Sequence, residues 1–246
     1  MGTKIATLLL LTLLPAGVTA QSLEQRITGV GSGTVHLSFA ARPGVCGEGG
    51  QTFTQGRSDR DWEADCEAQP VRAALEVRNH RVTAVRSYVG GRWKARSSAL
   101  DLGTVGSREA AAYFLSLAEQ PRISGDPVLP AALADSATVW PAMLRLARLP
   151  DIPLQNRRSA VFWLSQAAGA AAGRALDSII SAPEGERELR KEAVFALSQR
   201  SSEEAVPALI QIAKRNPDPE IRRTALFWLG QSEDPRALAL FEEILR

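Results

Sequence analysis

Histidine is the side chain most often used as a general base or metal ligand near neutral pH, and this chain has only two. His36 falls on the polar face of a predicted strand and His80 in a predicted turn, so both are expected to be solvated. The sequence has no His-Glu-x-x-His zinc motif, no Gly-x-Ser-x-Gly nucleophile elbow and no phosphate-binding Gly-rich loop. Local motifs therefore predict no enzyme. A Ser/His/Asp site assembled from residues distant in sequence stays open, because triads do not require sequence adjacency.

An acidic run is the other candidate for chemistry, with a carboxylate at every second position: Asp59, Asp61, Glu63, Asp65 and Glu67. Alternate acidic ligands begin a calcium-binding loop. The rest of that pattern is missing, because Ala64 stands where the loop requires glycine and Pro70 where it requires a bidentate glutamate. We interpret the run as a solvated strand or turn face, with weak calcium binding as the alternative.

The first 20 residues have the features of a secretory signal peptide. Lys4 supplies a positive start, residues 5–14 are mainly apolar, and small residues precede the predicted cleavage between Ala20 and Gln21. Pro15 helps to end the apolar run well short of the ~20 residues that span a bilayer. The sequence therefore predicts export to the periplasm or the exterior, with no transmembrane segment after removal of the signal. A retained membrane anchor is the alternative.

The chain has two cysteines, Cys46 and Cys66, both in a polar, Gly-rich region. In the oxidising compartment that export implies, they are expected to form a disulfide. Closing a loop of about 20 residues contributes roughly 3 kcal/mol in the chain-entropy model. The alternatives are two free thiols or a metal site, although a metal site needs more ligands than two cysteines without nearby histidine.

Hydrophobic periodicity changes near residue 106. Before it, residues 34–40 and 71–77 alternate between apolar and polar side chains, which predicts strands. Residues 26–30 and 82–89 are expected to complete two hairpins, and residues 99–106 are interpreted as a hinge. After residue 106 the apolar side chains recur about every 3.6 residues, which predicts helices. The sequence thus predicts an α+β chain, with a small antiparallel β domain over 21–106 and an α–α solenoid of about four helix pairs over 107–246.

Eight helices are predicted after the hinge, several with proline near the start, where its missing N–H costs nothing. Ser107 is the expected N-cap of the first. Their predicted bounds are 107–119, 135–148, 153–166, 170–181, 186–199, 202–215, 219–230 and 235–246.

Three segments of the helical part align without gaps. They are Arg157–Gln166 (RRSAVFWLSQ), Arg190–Gln199 (RKEAVFALSQ) and Arg222–Gln231 (RRTALFWLGQ), offset by 33 and 32 residues. A period in this range is typical of stacked helical repeats, in which no single unit can bury its apolar face alone.

Residues 218–230 (DPEIRRTALFWLG) resemble the HEAT-like repeat, especially the short form first described in phycobilisome lyases. Residues 234–238 are similar to the start of that repeat's second helix, and the whole layout resembles exported bacterial HEAT-repeat domain proteins. The resemblance implies that the motif arginine ties neighbouring units together through a carboxylate. By that analogy Arg157, Arg190 and Arg222 form a structural ladder, with a ligand-facing row as the alternative.

Aromatic residues recur at two adjacent repeat positions. Phe162, Phe195 and Phe227 share one position, and Trp163, Ala196 and Trp228 share the next. Positions that recur with the repeat on the inner side of a helix are expected in the core, although they could instead line a groove. Trp140, in the less regular first unit, is the better candidate for a surface contact.

The repeats predict an exported, non-enzymatic scaffold for protein–protein interaction. If the second helices line the inner surface, as the resemblance implies, the candidate partner surface consists of Gln211, Lys214, Arg215 and Arg236, together with Trp140. No cofactor is predicted. The 29 basic and 27 acidic residues form no basic block, so no nucleic-acid partner is expected.

Two other functions stay open. One is an enzyme, hydrolase or lyase-like, with its site in the β domain or at the interdomain junction. The other is a structural envelope protein. The β domain is expected at least to cap the first end of the helix stack, because such a stack exposes an apolar end unless something polar covers it.

Overall fold

The computed structural model describes residues 21–49, 54–55, 69–95, 97–167, 170–183 and 185–245. The signal-peptide segment, the acidic run and Cys66 lie outside the described residues, so the predictions made for them stay predictions. The described elements before residue 106 are α1 (Leu23–Thr28), β1 (Gly33–Phe39), β2 (Val45–Cys46), β3 (Thr54–Gln55), β4 (Val71–Arg78), β5 (Arg81–Val89) and β6 (Leu100–Thr104). The later elements are α2 (Ser107–Ala118), α3 (Val128–Leu133), α4 (Trp140–Arg148), α5 (Leu154–Gln166), α6 (Ala170–Ile180), α7 (Arg187–Ser198), α8 (Ser202–Arg215), α9 (Pro219–Gly230) and α10 (Pro235–Ile244).

The main sheet is mixed, with strand order β5-β4-β1-β6. Strands β1, β4 and β5 are antiparallel neighbours, whereas β6 lies parallel to β1. The prediction of a purely antiparallel domain was therefore wrong at one edge. The reason is that the chain after β5 crosses to the far edge of the sheet, where the new strand runs in the direction of β1. Strands β2 and β3 form a separate two-stranded pair.

Alternation along the strands decides which face of the sheet is buried. Val35, Leu37 and Phe39 point to one face of β1 and are fully buried. Phe39 meets Phe114 of α2 with ring centroids 6.0 Å apart. The same apolar cluster continues through α3 and into the later helices, so one core extends across the predicted domain boundary, which itself stays a prediction.

Two predictions in the first part were wrong in element type. Residues 26–30, predicted as a strand, lie largely in α1. Ser22 and Gln25 form a reciprocal capping box that begins this helix, because each side chain satisfies a backbone N–H that the first turn leaves unpaired. Residues 99–106, predicted as a hinge, contain β6, which is mostly exposed and therefore shows no strong alternation.

The helical part agrees with the sequence to within one or two residues for most helices. The exception is the predicted helix over 135–148. In its place α3 ends at Leu133, Ser136 has a positive φ of 53° and α4 begins at Trp140 with Pro141 in its first turn. The predicted arrangement of four pairs is therefore not confirmed. The first cap was also wrong: Gly106 is the N-cap of α2, and the Ser107 hydroxyl donates to Ala40 O.

Buried arginines join successive helices in the repeats. The Nε of Arg157 donates to Ala147 O at the end of α4 (3.1 Å), and its Nη1 donates to Glu186 before α7 (3.0 Å). Arg190, one repeat later, makes the same pair of contacts with Ile180 O (2.9 Å) and Asp218 Oδ2 (3.0 Å).

Each of these guanidinium groups therefore contacts the end of the preceding helix and the residue that starts the next repeat. Arg190 adds a bond to Asn216 Oδ1 at 3.3 Å. Arg222, the third arginine of the set, donates through Nη1 to Asn216 O and Pro217 O. Arg157 and Arg190 thus join neighbouring repeats through a carboxylate, whereas among the described residues Arg222 bonds only the carbonyls of the link before its own helix.

Replacing Arg190 by methionine should lower the free energy of unfolding by about 3 kcal/mol, because Asp218 then loses a buried cation and the other acceptors lose their donor. The matched control is Arg187→Met. Arg187 contacts the same Asp218 oxygen at 3.4 Å, but its side chain is 63% exposed. Its loss should cost about 0.5 kcal/mol or less. Urea denaturation of both variants measures the difference, and equal losses would contradict a structural role specific to Arg190.

Candidate interaction surface

The first helices of the repeats, α5, α7 and α9, pack side by side. Because the same motif builds each helix, equivalent residues lie in rows across the three. One row consists of Phe162, Phe195 and Phe227, and a second consists of Gln166, Gln199 and Gln231. We call these six residues the aromatic–amide face.

The phenylalanine row is a surface feature. Phe162 is 44% exposed and Phe227 57% exposed. Phe195 is half-buried and lies 4.9 Å, centroid to centroid, from Trp228. The prediction that this row belongs to the core was therefore wrong for Phe162 and Phe227.

The residue that follows each phenylalanine is the one that packs into the core. Trp163 and Ala196 are buried, and Trp228 is half-buried against the core. Consecutive residues on a helix point about 100° apart, and adjacent large residues such as Trp163 and Leu164 are both buried here. The spacing of the two rows in the sequence therefore gave no signal that would have separated them.

Each exposed phenylalanine is held by the tryptophan that follows it. The Phe162 and Trp163 rings meet edge-on at 5.1 Å and 80°, and the Phe227 and Trp228 rings at 5.0 Å and 81°. This edge-to-face geometry is favourable for aromatic pairs. The exposed rings are thus positioned by side chains anchored in the core.

The amide row is oriented by a neighbouring serine in two repeats. The Ser165 hydroxyl donates to Phe162 O (2.6 Å) and accepts from Gln166 Nε2 (2.9 Å). One repeat later Ser198 and Gln199 make equivalent bonds of 2.7 and 3.3 Å. The Oε1 atoms of both glutamines have no hydrogen-bond partner within the described part of the chain.

A groove of about 880 Å³ runs beside these rows, between α3, α5 and α7. Charged groups along it are largely paired with one another: Arg158 Nε lies 3.3 Å from Glu192 Oε1, and the Ser159 hydroxyl donates to Asp126 Oδ2 at 2.7 Å. Aromatic rings and amide groups therefore supply much of the remaining binding chemistry of the groove.

The residues predicted to form the partner surface are only partly brought together. Gln211 and Arg215 are exposed on α8 and line one cavity of about 210 Å³ with Asp177 and Ser181. Lys214 forms an ion pair with Glu243 of α10 at 2.7 Å. The second-helix surface stays a prediction, with its cationic groups partly engaged inside the molecule.

Two further predicted residues lie elsewhere. Arg236 binds Asp234 at 2.7 Å and Glu203 at 3.3 Å. Trp140 begins α4 and is half-buried against the core. Cys46 ends β2, and because Cys66 lies outside the described residues the disulfide stays a prediction.

One of the two histidines differs from expectation. His36 was predicted to be solvated, but it is buried and stacked under Trp93 with ring centroids 3.7 Å apart. His80 is exposed in the turn between β4 and β5, where its Nδ1 lies 3.0 Å from Thr28 O. Within the described ranges no three His, Cys, Asp or Glu residues are grouped so that they could hold a metal ion.

Comparison with known proteins agrees with the repeat pattern. Residues 176–246 match the family model for HEAT repeats. The C-terminal helices are therefore similar to HEAT repeats. No curated protein matches the chain.

Among the helices of the described residues, none has the length and apolar character needed to cross a bilayer.

Asp234 provides a test of how the last repeat is held. Its side chain caps α10, and hydrogen bonds from the Arg236 side chain and then from the Arg236 backbone N–H lower the pKa of Asp234 to about 2. An unfolded aspartate has a pKa near 3.9. The stabilisation is therefore complete above about pH 4 and is lost as the pH falls towards 2.

The variant Asp234→Asn keeps a capping side chain but removes the charge. Urea midpoints of the wild type and the variant should differ at pH 6 and converge as the pH falls from about 4 to 2. Parallel pH profiles would contradict a role for the Asp234 charge.

Proposed function

We propose that this chain is a non-enzymatic scaffold whose HEAT-like repeats bind another protein through the aromatic–amide face. The observation that carries the proposal is the pair of exposed phenylalanines, each held edge-on by a tryptophan of the following position. Exposed apolar groups placed in rows, with polar groups beside them, are typical of interaction sites. Aromatic side chains are also enriched at protein interfaces.

The partner we propose is an extended, weakly charged segment of a protein. Packed helices are separated by about 8–10 Å, and a chain in the extended polyproline II conformation advances about 3.1 Å per residue with three residues per turn. One repeat therefore matches about one turn of such a segment, in which every third residue faces the same way. The amide oxygens of Gln166 and Gln199, which have no partner among the described residues, suit its backbone N–H groups, and the phenylalanine rings suit apolar side chains at the same interval.

The double variant Phe162→Ser/Phe227→Ser should weaken partner binding by about tenfold or more, because central aromatic anchors carry much of an interface's free energy. The measurement is affinity capture from extract of the source cells, with the retained protein quantified by mass spectrometry. Its affinity for each purified variant then follows by titration. The fold should be retained, since substitutions at exposed sites usually change stability by about 0.5 kcal/mol or less.

Two controls locate the surface. Leu238→Ser removes a side chain of α10 that is 61% exposed, and it should leave binding unchanged because Leu238 lies outside the aromatic–amide face. Gln211→Ala/Lys214→Ala tests the second-helix surface. Equal binding by the wild type and the phenylalanine variant would exclude the aromatic–amide face, and loss only in the Gln211/Lys214 variant would assign the partner to the second helices.

We further propose that the protein acts after export, with residues 1–20 removed and Cys46 paired with Cys66. The proposal is supported by the pattern of residues 1–20 and by the presence of two cysteines in one short region.

N-terminal sequencing of the protein isolated from its own cells should give Gln21 as the first residue, because cleavage is expected after the small residue Ala20. Fractionation of the same cells supplies the control, since export places the protein outside the cytoplasm. A protein that begins at Met1 and fractionates with the cytoplasm would contradict export.

A further inference from the structure

The outer face of the main sheet carries a second feature that the repeats do not use. Strand register places Arg72 of β4 between Ser38 of β1 and Tyr88 of β5. The chain that leaves β5 turns back over this face at Gly90, which has φ +71°. A side chain at Gly90 would collide with Gly47 O, so this turn requires glycine.

The segment that follows Gly90 completes an aromatic wall, which consists of Trp93, Tyr88 and His36. The Trp93 ring stacks on His36 at 3.7 Å and 10°, and the Tyr88 ring meets Trp93 edge-on at 5.8 Å and 87°. Burial lowers the pKa of His36, against an opposing effect of Asp101. The imidazole is therefore neutral at pH 7 and serves as a flat support for the indole.

A cavity of about 350 Å³ lies against this wall. Three cationic side chains line it, Arg72, Arg92 and Lys94, and none of its described lining residues is a carboxylate. None of the three forms an ion pair with a described residue, and Arg92 and Lys94 are exposed. The cavity therefore combines positive charge with aromatic surface.

Arg72 is oriented by the turn itself. Its Nε donates to Gly90 O at 3.2 Å and to Gly91 O at 2.9 Å. Its Nη1 and Nη2 groups have no partner among the described residues. A guanidinium held at Nε with both Nη groups open presents a fork that matches a carboxylate or a phosphate.

We propose that this cavity binds a small molecule that has one anionic group, a carboxylate or a phosphate, attached to a flat aromatic or apolar body. Arg72 and Lys94 bind the anion, and Trp93 and Tyr88 contact the body. A volume of about 350 Å³ lies at the small end of the ~300–1,000 Å³ range of small-molecule sites. The site is independent of the aromatic–amide face, so its test does not depend on the proposed partner.

The experiment uses three probes that share a phenyl ring: phenylphosphate, phenylacetate and benzyl alcohol. Saturation-transfer NMR detects binding to the full chain, and titration gives each dissociation constant. At least one anion should bind at least tenfold more tightly than the neutral alcohol, and the better anion identifies the group that the site prefers. Equal affinity for the alcohol, or no binding of either anion, would overturn the proposal.

Variants then locate the probe. Lys94→Met and Trp93→Ala should each weaken binding of the preferred anion about tenfold, whereas Trp93→Phe should largely restore what Trp93→Ala loses. Lys214→Met is the matched control, because it makes the same change at an exposed lysine outside the cavity. Unchanged affinity in Lys94→Met, or an equal loss in Lys214→Met, would show that the anion binds elsewhere. Lys94 is exposed, so its variant tests the site even if Trp93→Ala fails to fold.

Discussion

The repeat part of this protein depends on a buried guanidinium group between helices. Burying an arginine costs free energy unless its donors find partners and its charge is balanced. Arg157 and Arg190 offset that cost with a carbonyl at the end of one helix and a carboxylate at the start of the next repeat. The carbonyl end of a helix carries partial negative charge, so the cation is favoured there as well. Each arginine therefore ties its own helix to the end of the preceding helix and to the start of the next repeat.

This arginine contact explains why the same surface features recur in each unit of the helix stack. Once the arginine fixes the rotation of each first helix, every later residue of the motif takes the same direction in each unit. Trp163 and Ala196 then point inward, Phe162 points outward and Phe195 is half-buried. Serine and glutamine follow one turn later, and their hydrogen bonds repeat between two units. A sequence repeat that builds the helix stack therefore also places side chains in a regular exposed row. That row is available to bind a partner.

Structural elements that depend on residues close together in the sequence were largely predictable. Elements that depend on pairing between residues far apart in the sequence were not. The bounds of α5 to α10 follow from local periodicity and from proline at helix starts. The capping box of Ser22 and Gln25 was also local, but it was missed because residues 26–30 were assigned as the hairpin partner of residues 34–40. Strand β6 is mostly exposed, so its pairing with β1 leaves little trace in its own residues.

The surfaces were harder to predict than the elements, for the same reason. The phenylalanine row was recognised as a repeat but assigned to the core, since spacing alone does not distinguish two adjacent rows on one helix. The sheet cavity needs Arg72, Tyr88 and Trp93 to meet across two strands and a turn. Only the register of the sheet brings them together.

The sheet links these two surfaces through one core. Its inner face packs on α2 and α3, with Phe39 against Phe114, and backbone bonds join Arg42 N to Leu133 O and Asp135 N to Ala40 O. Arg42 also lies 5.7 Å from the Trp163 ring of the first regular repeat. The sheet thus covers the first end of the helix stack, which would otherwise expose apolar side chains.

Because the inner face of the sheet packs on the helices, the outer face with its cations and aromatic wall is left available for a ligand. A substitution in the cavity can then change ligand binding without disturbing the helices, whereas a substitution at Phe39 or Phe114 must disturb both parts of the molecule.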